Sequence, residues 1–155
     1  MTIQTVIVHW ERAVDLLDVL ERGSGWGVHR GVYQILEEPG ENLIYIGLSK
    51  GATSTCRIRI QKHRKDWLQQ FVSGEMSIRF GEIQVLGSST GANTQSGLTG
   101  NMVELVESLL ILKCQPRENT TKMNEFSYDS EIQLDNQGDR GWIPKWITMD
   151  DFDLH

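Results

Sequence analysis

The stretch from Asn101 to Cys114 leaves this chain the least freedom. Met102, Val103, Leu105, Val106, Leu109, Leu110, Ile111 and Leu112 make it apolar on nearly every side. A helix of that kind must be covered all round, so the pattern predicts a central, buried element. Pro116 ends it, because the residue before a proline is pushed out of the helical region. Inside the stretch, Glu107 has Val103, Leu110 and Ile111 as helical neighbours and interrupts the apolar surface. An unpaired carboxylate is costly to bury, and a metal or another cation would have to offset that cost. Glu104, beside Gly100, Asn101 and Ser108, has polar neighbours and reads as solvated.

Two β-rich runs, Gly31–Leu36 and Leu43–Leu48, flank Glu37-Glu38-Pro39-Gly40-Glu41-Asn42. Pro-Gly between such runs predicts a hairpin. Tyr33 and Tyr45 lie at equal distance from Pro39, which places them opposite each other on one face of the sheet. Taken alone, two strand tyrosines are packing residues. Residues 10–22 repeat apolar side chains at helical spacing and predict a first helix on the edge of the main body. A second helix is expected over 54–71, with Cys56, Ile60, Trp67 and Phe71 inward. Arg59 and His63, four residues apart, then project from one of its sides. Ser77–Leu86 reads as a third strand, and 87–100 as a glycine-rich surface loop. Trp142, Ile143, Trp146 and Ile147 form a late cluster suited to anchoring a tail or to stacking on bases.

Net charge is −6, which argues against a basic nucleic-acid binder overall. Residues 50–66 depart from that balance: Lys50, Arg57, Arg59, Lys62, Arg64 and Lys65 face one acid, Asp66. Such a segment on an acidic body is either a phosphate-facing patch or a solvated helix face. Cys56 and Cys114 make no disulfide framework and no CxxC knuckle. No apolar run approaches a membrane span, and the first residues lack a basic region followed by an apolar stretch. A cytoplasmic protein is expected.

At this point the residues resemble a known family. Gly31-Val32-Tyr33 followed by Tyr45-Ile46-Gly47 is similar to the paired tripeptides of the GIY-YIG nuclease superfamily. Lys50 lies three residues after the second motif, where family members often carry a lysine. Arg57-Ile58-Arg59-Ile60-Gln61-Lys62-His63 resembles the family's helix with an arginine and a histidine four residues later. Glu107, leading to Pro116-Arg117-Glu118-Asn119, resembles the metal-binding glutamate helix and Pro-x-x-Asn segment of the nuclease subunit of bacterial nucleotide-excision repair. The resemblance spans residues 31–119. The connection from Gly47 to Arg59 is longer than the commonest spacing, so Arg57 competes with Arg59 for the arginine position.

The resemblance implies an α/β (α+β) fold, a small three-stranded, mostly antiparallel sheet flanked by helices. It divides the chain into an N-terminal helical extension (1–30), a catalytic core (31–119) and an acidic C-terminal extension packed on the core (120–155). It implies a divalent-metal-dependent DNA endonuclease that hydrolyses phosphodiesters with one Mg²⁺, replaceable by Mn²⁺, held by Glu107. Tyr33 would be the general base, and Arg59 would stabilise charge on the phosphate. Tyr45 and His63 would position water and phosphate, while Lys50, Arg57, Lys62 and Asn119 would serve substrate binding. DNA is the implied partner, and a homodimer would present two basic helices to one duplex. The competing reading keeps the residues without catalysis, as a nucleic-acid-binding or scaffolding module.

Overall fold

Gln4–Trp10 alternates in the period of a strand: Val6, Val8 and Trp10 are buried, whereas His9 is exposed. Two β-branched residues on the inward side favour the extended backbone. In the computed structural model, which describes residues 3–21, 31–38, 41–49, 76–86, 93–94, 100–119 and 131–152, this segment is strand β1. It is followed by β2 (Val14–Asp15), the short helix α1 (Leu16–Glu21), β3 (Gly31–Glu37), β4 (Asn42–Ser49) and β5 (Met76–Leu86). Then come β6 (Asn93–Thr94), α2 (Gly100–Cys114), β7 (Ile132–Gly138), β8 (Trp146–Thr148) and a 3-10 turn over Met149–Phe152.

The strands form one mixed eight-stranded sheet in the order β4-β3-β5-β1-β7-β8, with β2 and β6 also paired to β5. The eleven-residue β5 is its spine: β3 pairs antiparallel along Met76–Glu82, and β1 pairs antiparallel along Gly81–Val85. β1 then runs parallel to β7, from Gln4 opposite Ile132 to Trp10 opposite Gly138. One face of the sheet packs under α2, where Val103, Val106, Leu109 and Leu110 meet Val32, Ile46, Leu48 and the inward residues of β1. On the other face, along β3, β4 and the first half of β5, Tyr33, Ile35, Ile44, Ile78 and Phe80 cluster with Leu16 and Val19 of α1.

This architecture corrects the expected fold. The sheet is not a small three-stranded one flanked by helices: the antiparallel trio β4-β3-β5 is present, but continues through β1 and β7 into a mostly β structure. The expected first helix over 10–22 shrinks to Leu16–Glu21. Trp10 belongs instead to β1, where its ring is buried and its Nε1 donates to Asn136 Oδ1 at 3.0 Å. The C-terminal segment reads weakly because β7 has only Ile132 and Leu134 as apolar residues, while its Asp135 and Asn136 are buried polar residues. The hairpin, the strand near 77–86 and the apolar helix stand where the sequence places them. Of the late cluster, Ile143 and Ile147 are buried, whereas Trp142 is 76% exposed and Trp146 47%. The helix expected over 54–71 lies outside the described residues. Among the described residues, no helix is long and apolar enough to cross a membrane.

Candidate functional site

The β3–β4 hairpin carries both tyrosines, and its register decides how they meet. Tyr33 pairs with Gly47, and Tyr45 pairs with Ile35, with a shift in register between Ile35 and Leu36. The tyrosines are therefore diagonal neighbours on one face rather than directly opposite. Their ring centroids are 6.2 Å apart and tilted by 37°. Glu37 pairs with Asn42 around a turn in which Glu41 takes a positive φ of 52°, and Ile44 is the extra residue between the Leu36–Leu43 and Ile35–Tyr45 pairs. That moves the centre of symmetry one step past Pro39.

Tyr33 has no exposed surface, while Tyr45 is half-buried. The Tyr33 ring lies directly over Gly47, where any Cβ would overlap its Cζ and Oη. Here the glycine is required for close approach rather than for backbone conformation. Ile35 and Phe80, in the same cluster, give Tyr33 apolar company.

The C-terminal end of α2 builds the other side of the hairpin. Gln115 adopts a positive φ of 49° and its N–H donates to Ile111 O at 2.8 Å, an αL termination of the helix. Pro116 then turns the chain, and Asn119 N donates to Pro116 O at 3.3 Å. This delivers two residues to the outer edge of β4. Glu118 N donates to Ile44 O at 2.8 Å. The buried Asn119 side chain accepts from Ile46 N–H at 3.0 Å and donates from Nδ2 to Ile46 O at 2.9 Å. Tyr45 is thus held by backbone hydrogen bonds on both sides of it in the chain.

Glu107 is buried to 6% exposure on α2, the helix whose apolar residues pack on the hairpin face opposite Tyr33. Among the described residues, no group of three or more His, Cys, Asp or Glu is arranged to hold a metal. A single carboxylate oxygen donor is too sparse a set for Zn²⁺, but fits Mg²⁺, which keeps most of its waters. Lys50, Arg57, Arg59, Lys62 and His63 lie outside the described residues.

Sequence reasoning missed Arg79. It sits on β5 opposite Gln34 and is fully buried. Its Nη2 donates to Glu41 Oε1 at 3.0 Å and to Asp139 Oδ1 at 3.4 Å, while its Nε has no partner. Gly141, at φ 61°, leaves room for it: a Cβ there would come within 2.5 Å of Arg79 Nη1. Glu41 and Asp139 also line a cleft of about 350 Å³, together with Arg12, Asp15, Glu38 and Ser77. The only signal in sequence was an arginine between Ile78 and Phe80, in step with Ile83 and Val85 on the face that packs under α2 further along β5. At Arg79 that face is covered by the chain leaving β7.

Comparison with protein-family models, curated proteins and solved structures found no match.

Proposed function

We propose that this chain is a divalent-metal-dependent DNA endonuclease with a tyrosine as general base. The observation that carries the proposal is the tyrosine pair: two rings 6.2 Å apart on one hairpin face, the strand of the second clamped by Asn119. A packing role requires apolar bulk in that place. The Asn119 clamp closes the outer edge of β4 beside Tyr45 and so fixes the strand that carries it. The order of Tyr33, Tyr45, Arg59, His63, Glu107 and Asn119 along the chain adds the resemblance to GIY-YIG nucleases. The proposal rests on these residues and not on the architecture that the resemblance implied.

In this reading Glu107 would hold Mg²⁺, or Mn²⁺ in its place, although α2 covers the sheet face opposite the tyrosine pair. The bound cation would supply charge stabilisation at the scissile phosphate. Arg59, or Arg57 given the longer connection, pairs with the phosphate through its planar fork. Lys50 and Lys62 add attraction for the DNA backbone, and His63 positions the phosphate. Asn119 supports the strand of Tyr45 and leaves phosphate contact to the basic segment. The setting proposed is the cytoplasm, consistent with a free Cys114. Two copies would place two basic segments on one duplex.

The test is cleavage of supercoiled and linear plasmid with Mg²⁺ or Mn²⁺, beside Glu107→Ala. Metal-dependent cutting that the variant loses is the expected result. Equal cutting by the variant would sink the assignment of Glu107.

A second reading, a nucleic-acid-binding module without catalysis, is favoured by the full burial of Tyr33. Salt-sensitive DNA binding with no cleavage under any metal would support it instead.

A further inference from the structure

Past the tyrosine cluster, the sheet face away from α2 turns from apolar to polar. Register and strand alternation carry it through Glu82 and Gln84 of β5, Thr5 and His9 of β1, and Gln133 and Gln137 of β7. Ile7 and Asp135 lie between these residues, and Trp146 of β8 stands beside Asp135. His9 is exposed, Trp146 is 47% exposed, and Glu82, Gln84, Gln133 and Gln137 are half-buried. The face is thus open to solvent across four strands, a width of about 14 Å at the usual strand spacing.

Its polar groups are held in place and keep bonding capacity. Gln133 Nε2 donates to Thr5 Oγ1 at 2.8 Å, and Gln137 Nε2 donates to Asp135 Oδ2 at 2.7 Å. Each carboxamide spends one N–H in this way, which leaves an N–H and a carbonyl oxygen for a ligand. Lys145 Nζ bonds Asp135 Oδ1 at 2.8 Å and lies 5.1 Å from the centroid of the Trp146 ring, so the indole is fixed as well.

Charge selects the partner. Lys145 matches Asp135, and with histidine counted as neutral Glu82 is the one unmatched charge among these residues. Such a face repels a polyanion and offers a polycation a single carboxylate. An uncharged, hydroxyl-rich molecule complements it: carboxamides meet hydroxyls as both donors and acceptors, and an indole takes the C–H side of a pyranose ring. We propose that this face binds an uncharged oligosaccharide, with Trp146 as the stacking platform and Gln84, Gln133 and Gln137 bonding its hydroxyls. The site uses none of the residues of the nuclease reading and does not rest on it.

The test is an NMR titration of the full, isotope-labelled chain with maltohexaose and with cellohexaose, read at the Trp146 indole and at the three glutamine carboxamides. Saturable shifts at these groups with either sugar are expected. Trp146→Ala is expected to weaken that binding about tenfold. Gln84→Ala, which removes one solvent-open carboxamide and little packing, is expected to weaken it about fivefold. Absence of saturable shifts at these groups with both sugars overturns the proposal, as does binding that both variants leave unchanged. Saturable shifts there with an oligothymidylate and with neither sugar also overturn it, and would make the face a nucleic-acid surface. Each outcome reads the same whether or not the protein cuts DNA.

Discussion

Asn119 pairs with Ile46 as a neighbouring strand would, one carboxamide satisfying both the N–H and the C=O of a single residue. Among the described residues β4 ends the strand order on this side, and the side chain supplies part of the ladder that a further strand would make.

Asn119→Leu therefore leaves two backbone groups on β4 without their partner. The expected loss is about 1–3 kcal/mol of stability, with faster hydrogen exchange at Ile46 than at its neighbours in β3. Unchanged exchange at Ile46 would show that the clamp does not hold the strand.

Gly47→Ala pushes a methyl into the Tyr33 ring. Overpacking of this kind costs about 1–3 kcal/mol. Because the clash has a single source, the penalty is expected to shrink in a Tyr33→Leu background, read as a coupling in a double-mutant cycle by urea unfolding. Additive penalties would place the strain elsewhere.

The Arg79 network predicts an unequal pair of substitutions. Glu41 and Asp139 have side chains 36% and 55% exposed, so either can be hydrated once Arg79 is gone. Arg79 itself is buried with an unpartnered Nε. Removing the acids strands a buried cation, at about 3–5 kcal/mol, whereas replacing the cation by an apolar side chain costs far less. Arg79→Met is thus expected to be milder than Glu41→Gln with Asp139→Asn. Urea midpoints in the opposite order would mean that the acids, not the arginine, depend on the contact.

Asp135 supplies a pH dependence. Burial raises its pKa, but hydrogen bonds from Lys145 at 2.8 Å and Gln137 at 2.7 Å, with the Lys145 charge, outweigh it and hold the carboxyl below its ordinary value of 3.8. A carboxyl held lower in the folded state stabilises fully above its unfolded pKa, and that stability is lost as pH falls through the folded value. Asp135→Asn is therefore expected to be less stable than wild type at pH 7, with the gap closing as both are titrated below pH 3.8. A gap that persists in acid would assign the loss to shape rather than charge.

The sequence revealed the elements whose neighbours are local. The β3–β4 hairpin announces itself through a Pro-Gly turn between two apolar runs, and α2 through an apolar surface that no exposed helix tolerates. β1 was hidden by a competing period, since Trp10, Ala13 and Leu16 line up with the helical spacing of residues after them. β7 was hidden because its interior is polar: Asn136 is buried to serve Trp10 Nε1 and Pro144 O, a partnership legible only in three dimensions. The tyrosine pair was legible as to face but not register, because one extra residue in β4, Ile44, shifts every pairing beyond it. Arg79 was illegible for the same reason as β7, its acidic partners being 38 and 60 residues away.

The parallel pairing of β1 with β7 sets the order in which the molecule can be completed. Trp10 and Asn136, bonded across that pair, are 126 residues apart. On a ribosome, the first strand emerges long before its partner exists and meanwhile offers one edge of hydrogen-bonding groups to any passing chain. Contacts of such long range slow folding and prolong the aggregation-prone interval. For this protein the vulnerable moment is the wait for its last strands, and chaperone dependence would be greatest then.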